Sequence, residues 1–229
     1  MDELAAQKTH YYWTETAETL RALLRAGPLL LDEKGKCFIS PADCSPSIRF
    51  EPPPLLPLNE EVSTPEAYLA TLAQPPDLQL LILLQAGATS IGLWRQDALI
   101  CHKVIKKYVT RGKGKAQTTY LKTKGKSRYG ARLRLQNARD HLNQTNEKLH
   151  SWWSEHGAFT RVYYSCPKRL WPELFAAQVT PPFSNDAQLI RIKRDVRVPG
   201  HQELLKIRGY LCNGVIFKQV VPVLPPIPE

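Results

Sequence analysis

A chain of 229 residues and 26.0 kDa has room for one large domain, or for a medium domain with a smaller companion. Hydrophobic residues make up 43% and charged residues 23%, which excludes wholesale disorder, a collagen-like repeat and a membrane bundle. The formal charge of +10 is unevenly spread: 13 Lys and Arg and no carboxylate fall between Ala98 and Arg139, and the rest of the chain carries 18 basic against 21 acidic residues. A merely solubilising surface mixes both signs, so 42 residues without an Asp or Glu point to a polyanionic partner, of which nucleic acid is the commonest.

The first seventy residues read as a small N-terminal unit. Leu20, Leu23 and Leu24 have helical spacing within Glu15 to Ala26, and Gly27-Pro28 stops the helix. Leu29 to Leu31 and Lys36 to Ile39, separated by Asp32-Glu33-Lys34-Gly35, read as strand, turn and strand. Pro52, Pro53, Pro54 and Pro57 then mark a semi-rigid connector. Beyond Pro75-Pro76, the apolar run Leu80 to Ala86 suits a strand buried on both faces, and Ser90 to Arg95 and Leu99 to Tyr108 continue it as an antiparallel meander.

Gly112 to Gly125 lacks apolar periodicity and is rich in Lys, Gly and Thr, which predicts a long exposed loop. From Ser127 the pattern turns helical, with Leu135, Ala138, Leu142, Thr145, Leu149 and Trp152 on one face and Arg132, Arg134, Arg139, Asn143 and Lys148 on the other. A strand over Thr160 to Cys166 and a helix opened by Pro167 follow, then a strand over Leu189 to Lys193 and a helix over His201 to Leu211 that stops at Asn213-Gly214. The pattern predicts an α/β (α+β) class with a mixed sheet, an antiparallel meander and packed helices. The expected division is a small unit at 1–70, the main domain at 71–213 and a Pro-rich tail at 214–229.

Several chemistries are disfavoured. The five cysteines form an odd, scattered set without C-x-x-C, and the six histidines include no H-E-x-x-H, so neither a disulfide framework nor a metal site is expected, and no cofactor is called for. No apolar run approaches the ~20 residues of a membrane span, and Met-Asp-Glu-Leu-Ala-Ala does not open a secretory signal. A cytoplasmic monomer is expected. Gly112-Lys113-Gly114-Lys115-Ala116-Gln117-Thr118-Thr119 does not have the G-x-x-x-x-G-K-[ST] spacing of a nucleotide-binding loop. His102, within a strand, is expected to be structural.

Two glycines in three residues permit close backbone approach, and interleaved cations neutralise phosphates. Arg111, Gly112, Lys113, Gly114, Lys115, Thr118, Lys122, Lys124 and Lys126 are therefore the candidate RNA contacts of the loop, with Arg128, Arg132 and Arg134 on the helix that follows. Tyr120 and Tyr129 are candidates for stacking on bases.

Thr110-Arg111 before Gly-Lys-Gly-Lys-Ala-Gln117, then Gly125-Lys126, Gly130 and Leu133-Arg134-x-x-Asn137, resembles the release-factor-like domain of the ribosome quality-control peptidyl-tRNA hydrolases and tRNA endonucleases. That domain is related to the middle domain of the eukaryotic class I release factor. Leu84 to Gly87, Ile91-Gly92, His102-Lys103 and Tyr108 fit upstream, and the likeness spans about residues 76–212. Where the family loop commonly reads Gly-Gly-Ser-Gln or Gly-Gly-Gln, this chain has Gly114-Lys115-Ala116-Gln117. No ankyrin repeats or zinc finger accompany it, which fits a compact bacterial version.

The resemblance implies a hydrolase that frees nascent chains from stalled large ribosomal subunits, with ribosomal RNA and peptidyl-tRNA as partners and Gln117 as the catalytic residue in the peptidyl-transferase centre. A glutamine amide does not titrate, so its role there is positional. It would hold the attacking oxygen either for ester hydrolysis or for the backbone cut before the tRNA CCA end made by quality-control members. The other reading is a noncatalytic ribosome- or RNA-binding factor that uses the loop and helix as an anchor.

Overall fold

The computed structural model describes residues 7–32, 34–42, 44–59, 61–73, 77–109, 126–185 and 189–219, with the backbone alone at 126–129. The chain divides into two units, 1–75 with 208–229, and 76–207. The class is mixed α and β, with one five-stranded sheet in each unit.

In the first unit, strand β1 (Gln7–Tyr12) leads through a 3-10 turn into helix α1 (Thr16–Ala26). Leu20 and Leu23 are its buried apolar residues. The short strands β2 (Leu30–Leu31) and β3 (Phe38–Ile39) pair antiparallel. Their turn is tied by the Asp32 carboxylate, which accepts from the backbone N–H groups of Lys36 (2.6 Å) and Cys37 (3.0 Å) and is thereby held below the usual carboxylate range.

Strand β4 (Ser47–Glu51) and helix α2 (Pro65–Thr71) were not expected from the sequence. The Thr64 hydroxyl caps α2 by accepting from the Ala67 N–H, and Pro65 stands at the helix start. The proline-rich stretch between them is not a bare connector. Leu55 and Leu56 are buried, the Leu55 N–H donates to the Leu211 carbonyl (2.9 Å), and Tyr68 donates its hydroxyl to the Leu56 carbonyl (2.6 Å).

The expected tail at 214–229 is corrected over its first residues. Helix α5 (His201–Cys212) runs directly into strand β10 (Asn213–Gln219), which lies between β1 and β4 and pairs antiparallel with both. Asn213-Gly214 does stop the helix, but Val215-Ile216-Phe217 after it has β-branched and aromatic strand formers, and Ile216 enters a core with Tyr11, Phe38, Phe50 and Tyr68.

In the second unit, β5 (Leu78–Gln85), β6 (Ala88–Arg95) and β7 (Ala98–Lys106) form the expected meander. Helix α3 (Lys126–His156) returns the chain to β8 (Arg161–Ser165), which adds parallel to β5. Helix α4 (Leu170–Phe175) then precedes β9 (Leu189–Arg191), parallel to β8, so the sheet order is β7-β6-β5-β8-β9. Alternation along β5 divides its apolar side chains. Leu78, Leu80, Ile82 and Leu84 join a core with Leu142, Leu149 and Trp152 of α3. On the other face Gly92 pairs with Leu81 and lies under α5, where a Cβ would come within 2.9 Å of Leu204 and 2.5 Å of the Trp94 ring. The Gln85 amide donates to the carbonyls of Val196 (2.9 Å) and Arg197 (3.2 Å), fixing the segment that leads into α5.

At Gly214 an added Cβ would clash with Cζ and the hydroxyl oxygen of Tyr11, whose hydroxyl donates to the Glu51 carbonyl (3.0 Å) across the sheet. Gly214→Ala is therefore expected to destabilise the first unit by about 1–3 kcal/mol through overpacking. Denaturant unfolding beside Gly209→Ala, a site with nothing within 4 Å of a Cβ, checks this.

Candidate nucleic-acid interface

The expected loop contacts Arg111, Gly112, Lys113, Gly114, Lys115, Thr118, Lys122 and Lys124, with Gln117, lie outside the described residues. What is described is the frame that carries them. On the strand side, the chain leaves β7 with the Lys107 N–H donating to the Gly87 carbonyl (2.8 Å). Gly87 has φ +76, and a Cβ there would meet the Lys107 carbonyl oxygen at 2.5 Å and Val109 Cγ2 at 2.6 Å. Glycine is required here on both counts. One residue on, the Tyr108 carbonyl accepts from Asn137 Nδ2 (2.8 Å), which ties the strand-side leg to α3. The Tyr108 ring itself is 56% exposed.

On the helix side, Lys126 and Arg128 belong to the first turn of α3, which has no acidic residue. Cations at a helix N-terminus oppose the macrodipole, so the fold gains nothing by placing them there. Arg132 is exposed, Arg134 half-buried and Arg139 exposed. The apolar face expected along this helix starts later than the periodicity implies. Leu142, Thr145, Leu149 and Trp152 are buried, whereas Leu135 is 56% exposed and no residue between 130 and 140 is buried. Among the described side chains of the helix the first buried one is His141, which meets β6 at Thr89, next to the strand's first residue.

Asn143, expected on the solvated side, is a clamp. Its Oδ1 accepts from the Val179 N–H (3.1 Å), while Asn146 Nδ2 donates to the carbonyls of Leu174 (2.8 Å) and Val179 (2.6 Å) and His150 Nε2 donates to the Thr180 carbonyl (2.8 Å). Their i, i+3, i+7 spacing puts the three on one helix stripe, a polar periodicity that an apolar template does not score. Trp153, one position beyond the apolar stripe, also packs against the core, edge-on to Phe159 at 5.1 Å. His102 lies on the α5 face of the sheet, its ring centroid 4.1 Å from that of His201.

The sequence reading also missed a buried polar junction. Thr89 Oγ1 and His141 Nε2 lie 2.8 Å apart, and the Thr145 hydroxyl is within reach of Thr89 (3.3 Å) and of the His141 carbonyl (2.9 Å). Burial, with a contribution from the Lys107 charge, pushes the His141 imidazole down to about 4, so it is neutral at pH 7. Burial pushes the Cys101 thiol up to about 11 and the Cys166 thiol up to about 12, which unsuits these two to nucleophilic attack. Among the described residues no three His, Cys, Asp or Glu side chains are grouped to hold a metal, and no helix is long and apolar enough to cross a membrane.

Residues 79–218 match the model of a family described as the Bacteroidetes VLRF1 release factor. The chain belongs to this family. The release-factor resemblance carried by the loop and helix motifs is thereby borne out, and the match continues through β10. Membership places the chain among release factors, proteins of translation. No curated protein matches it in sequence. Among solved structures it is similar to one titled the Vms1 mitochondrial localization core, at 13% identity and a TM-score of 0.47 over 93% of this chain and 86% of that one. It is also similar to an archaeal translation termination factor, aRF1, at 18% identity and a TM-score of 0.36, over 61% of this chain and 35% of that one.

Two outcomes are expected. Asn137→Ala should release the strand-side leg and raise amide exchange at Tyr108 and Val109 by roughly fivefold, the loss of one hydrogen bond of about 1 kcal/mol, with Lys107 less affected because it retains its Gly87 partner. Because the folded His141 pKa lies below the ordinary 6.5, its contribution to stability is complete above pH 6.5 and is lost as pH falls toward 4. That contribution is on the order of 3 kcal/mol. His141→Gln should flatten the dependence of the melting temperature on pH across this window.

Proposed function

We propose that this protein frees nascent chains from stalled large ribosomal subunits by cleaving peptidyl-tRNA, with Gln117 at the loop tip as the positioning group. The observation that carries the reading is the match of residues 79–218 to a release-factor family. It is supported by the placement of a carboxylate-free, cation-rich run between two anchored ends, the Gly87–Asn137 clamp on the strand side and α3 on the other. The protein acts in the cytoplasm as a monomer, with ribosomal RNA and peptidyl-tRNA as partners and without a cofactor.

Gln117 carries no charge and neither takes nor gives a proton at neutral pH; its amide and nearby backbone N–H groups align the attacking oxygen. In the ester reaction water attacks the carbonyl carbon and the bond to the tRNA ribose oxygen breaks; one proton of the water passes to that oxygen, the other is released to solvent, and the peptide leaves as a carboxylate. In the backbone reaction a tRNA 2′-hydroxyl oxygen attacks the adjacent phosphorus, gives up its proton and forms a cyclic phosphate, while the 5′-oxygen leaves and is protonated. The second places developing charge on a phosphate, where Arg111, Lys113 and Lys115 would stabilise it, and it suits this loop better.

Gln117→Ala should leave subunit binding nearly unchanged while single-turnover release of labelled peptide falls about 10²- to 10³-fold. Resolving intact from CCA-less tRNA in the same reaction separates the two chemistries. Wild-type release by the variant would leave the noncatalytic RNA-binding factor as the reading. Charge reversal of Lys113 and Lys115 together should instead weaken cosedimentation with large subunits and reduce its dependence on salt.

A further inference from the structure

The first half of α3 and the stretch from Glu173 to Gln178 enclose a cleft of about 980 Å³ that release chemistry does not require. Its walls are set in advance, since Asn143 and Asn146 fasten Leu174 and Val179 to the helix. Arg132, Gln136, Arg139, Asp140 and Glu173 line it. None of the five makes an ion pair or side-chain hydrogen bond with a described residue. Leu135 lines it as well and is 56% exposed, an apolar surface that no described side chain covers.

We propose that this cleft seats an unpaired, amino-bearing nucleotide of RNA, cytidine or adenosine. The inference rests on the reading of RNA as the partner and adds to it a site that discriminates among bases. Arg132 and Arg139 fall within the carboxylate-free run, so a phosphate is drawn to their side. Asp140 and Glu173 repel phosphate but accept from an exocyclic amine, and the Gln136 amide pairs with a base edge. Leu135 and the Arg planes offer a face for the base to lie on. A surface built for the backbone alone would have no use for the carboxylates or for the exposed leucine. Uridine puts a carbonyl where cytidine has its amine and keeps a single edge donor, N3–H, so it makes fewer bonds to the two carboxylates and binds less tightly.

The test compares 5′-labelled hexacytidylate and hexauridylate, two pyrimidine strands whose bases differ at positions 3 and 4, by fluorescence anisotropy with the full chain. Hexacytidylate should bind about tenfold more tightly. The double variant Asp140→Ala/Glu173→Ala, and separately Gln136→Ala, should bring the ratio toward one without lowering the melting temperature. Arg132→Gln should weaken both strands alike and reduce the salt slope by about one. Displacement of hexacytidylate by free tRNA, or by large subunits stripped of tRNA, identifies the source of the nucleotide. A wild-type ratio near one, a ratio that survives the cleft variants, or failure of both competitors to displace overturns the proposal. Gln117→Ala protein should keep the full ratio, so failure of the release reading and failure of the cleft are separate results.

Discussion

The rest of the second unit depends on β5 being dry on both faces. A strand with Leu78, Leu80, Ile82 and Leu84 on one side and Leu81 and Leu83 on the other has no face to offer to water, so helices must lie above and below it. Helix α3 takes one face and the first turns of α5 the other, with Gly92 permitting the close approach of Leu204. Once α3 is fixed by that requirement, the positions of its basic end and of the loop's two anchor points follow. The polar junction of Thr89, His141 and Thr145 sits where the helix first reaches the sheet. It sets the height of α3 along β6 by directional bonds that apolar packing lacks, because a neutral imidazole buried there must keep its partners.

Much of this was legible in the sequence, for reasons that particular residues make plain. The uninterrupted apolar run of β5 has only one physical explanation, and the meander follows from the short turns at Gly87 and Gln96. The switch from period two to period 3.6 after residue 126 announces α3. The elements that escaped notice lack such a signature. In β1, Gln-Lys-Thr-His-Tyr-Tyr buries only Tyr11, and that strand is specified by its pairing with β10, two hundred residues away in the chain. Leu55 and Leu56 sit among prolines that suggest a spacer, and only the backbone bond to Leu211 makes them part of a core.

The site is legible in a different way. Charge composition and the Gln117 and Asn137 motifs point to the family and mark the segment proposed to act, because those signals are carried by side-chain chemistry and spacing. The supporting bonds were hidden. Asn137, Asn143 and Asn146 have the same amide, yet one holds a loop leg and the others fasten the Leu174–Val179 stretch. Which carbonyl an amide will find is a property of the assembled fold. Leu135 was misassigned because helical periodicity extends over residues 130–140, while burial does not.

The unburied opening of α3 has a thermodynamic consequence. Residues 130–140 of this 31-residue helix, about three turns, contain no buried residue and are ordered without help from a core. They draw on the intrinsic preference of Ala, Arg, Leu and Gln for the helix, and the cations before them work against it at the first turn. An anion that settles there relieves this opposition, and by linkage whatever tightens the helix end also tightens the hold on the anion. Anion binding and local folding at this end of the molecule are thus a single equilibrium, in which the anion acts as the missing acidic residue of the helix's first turn.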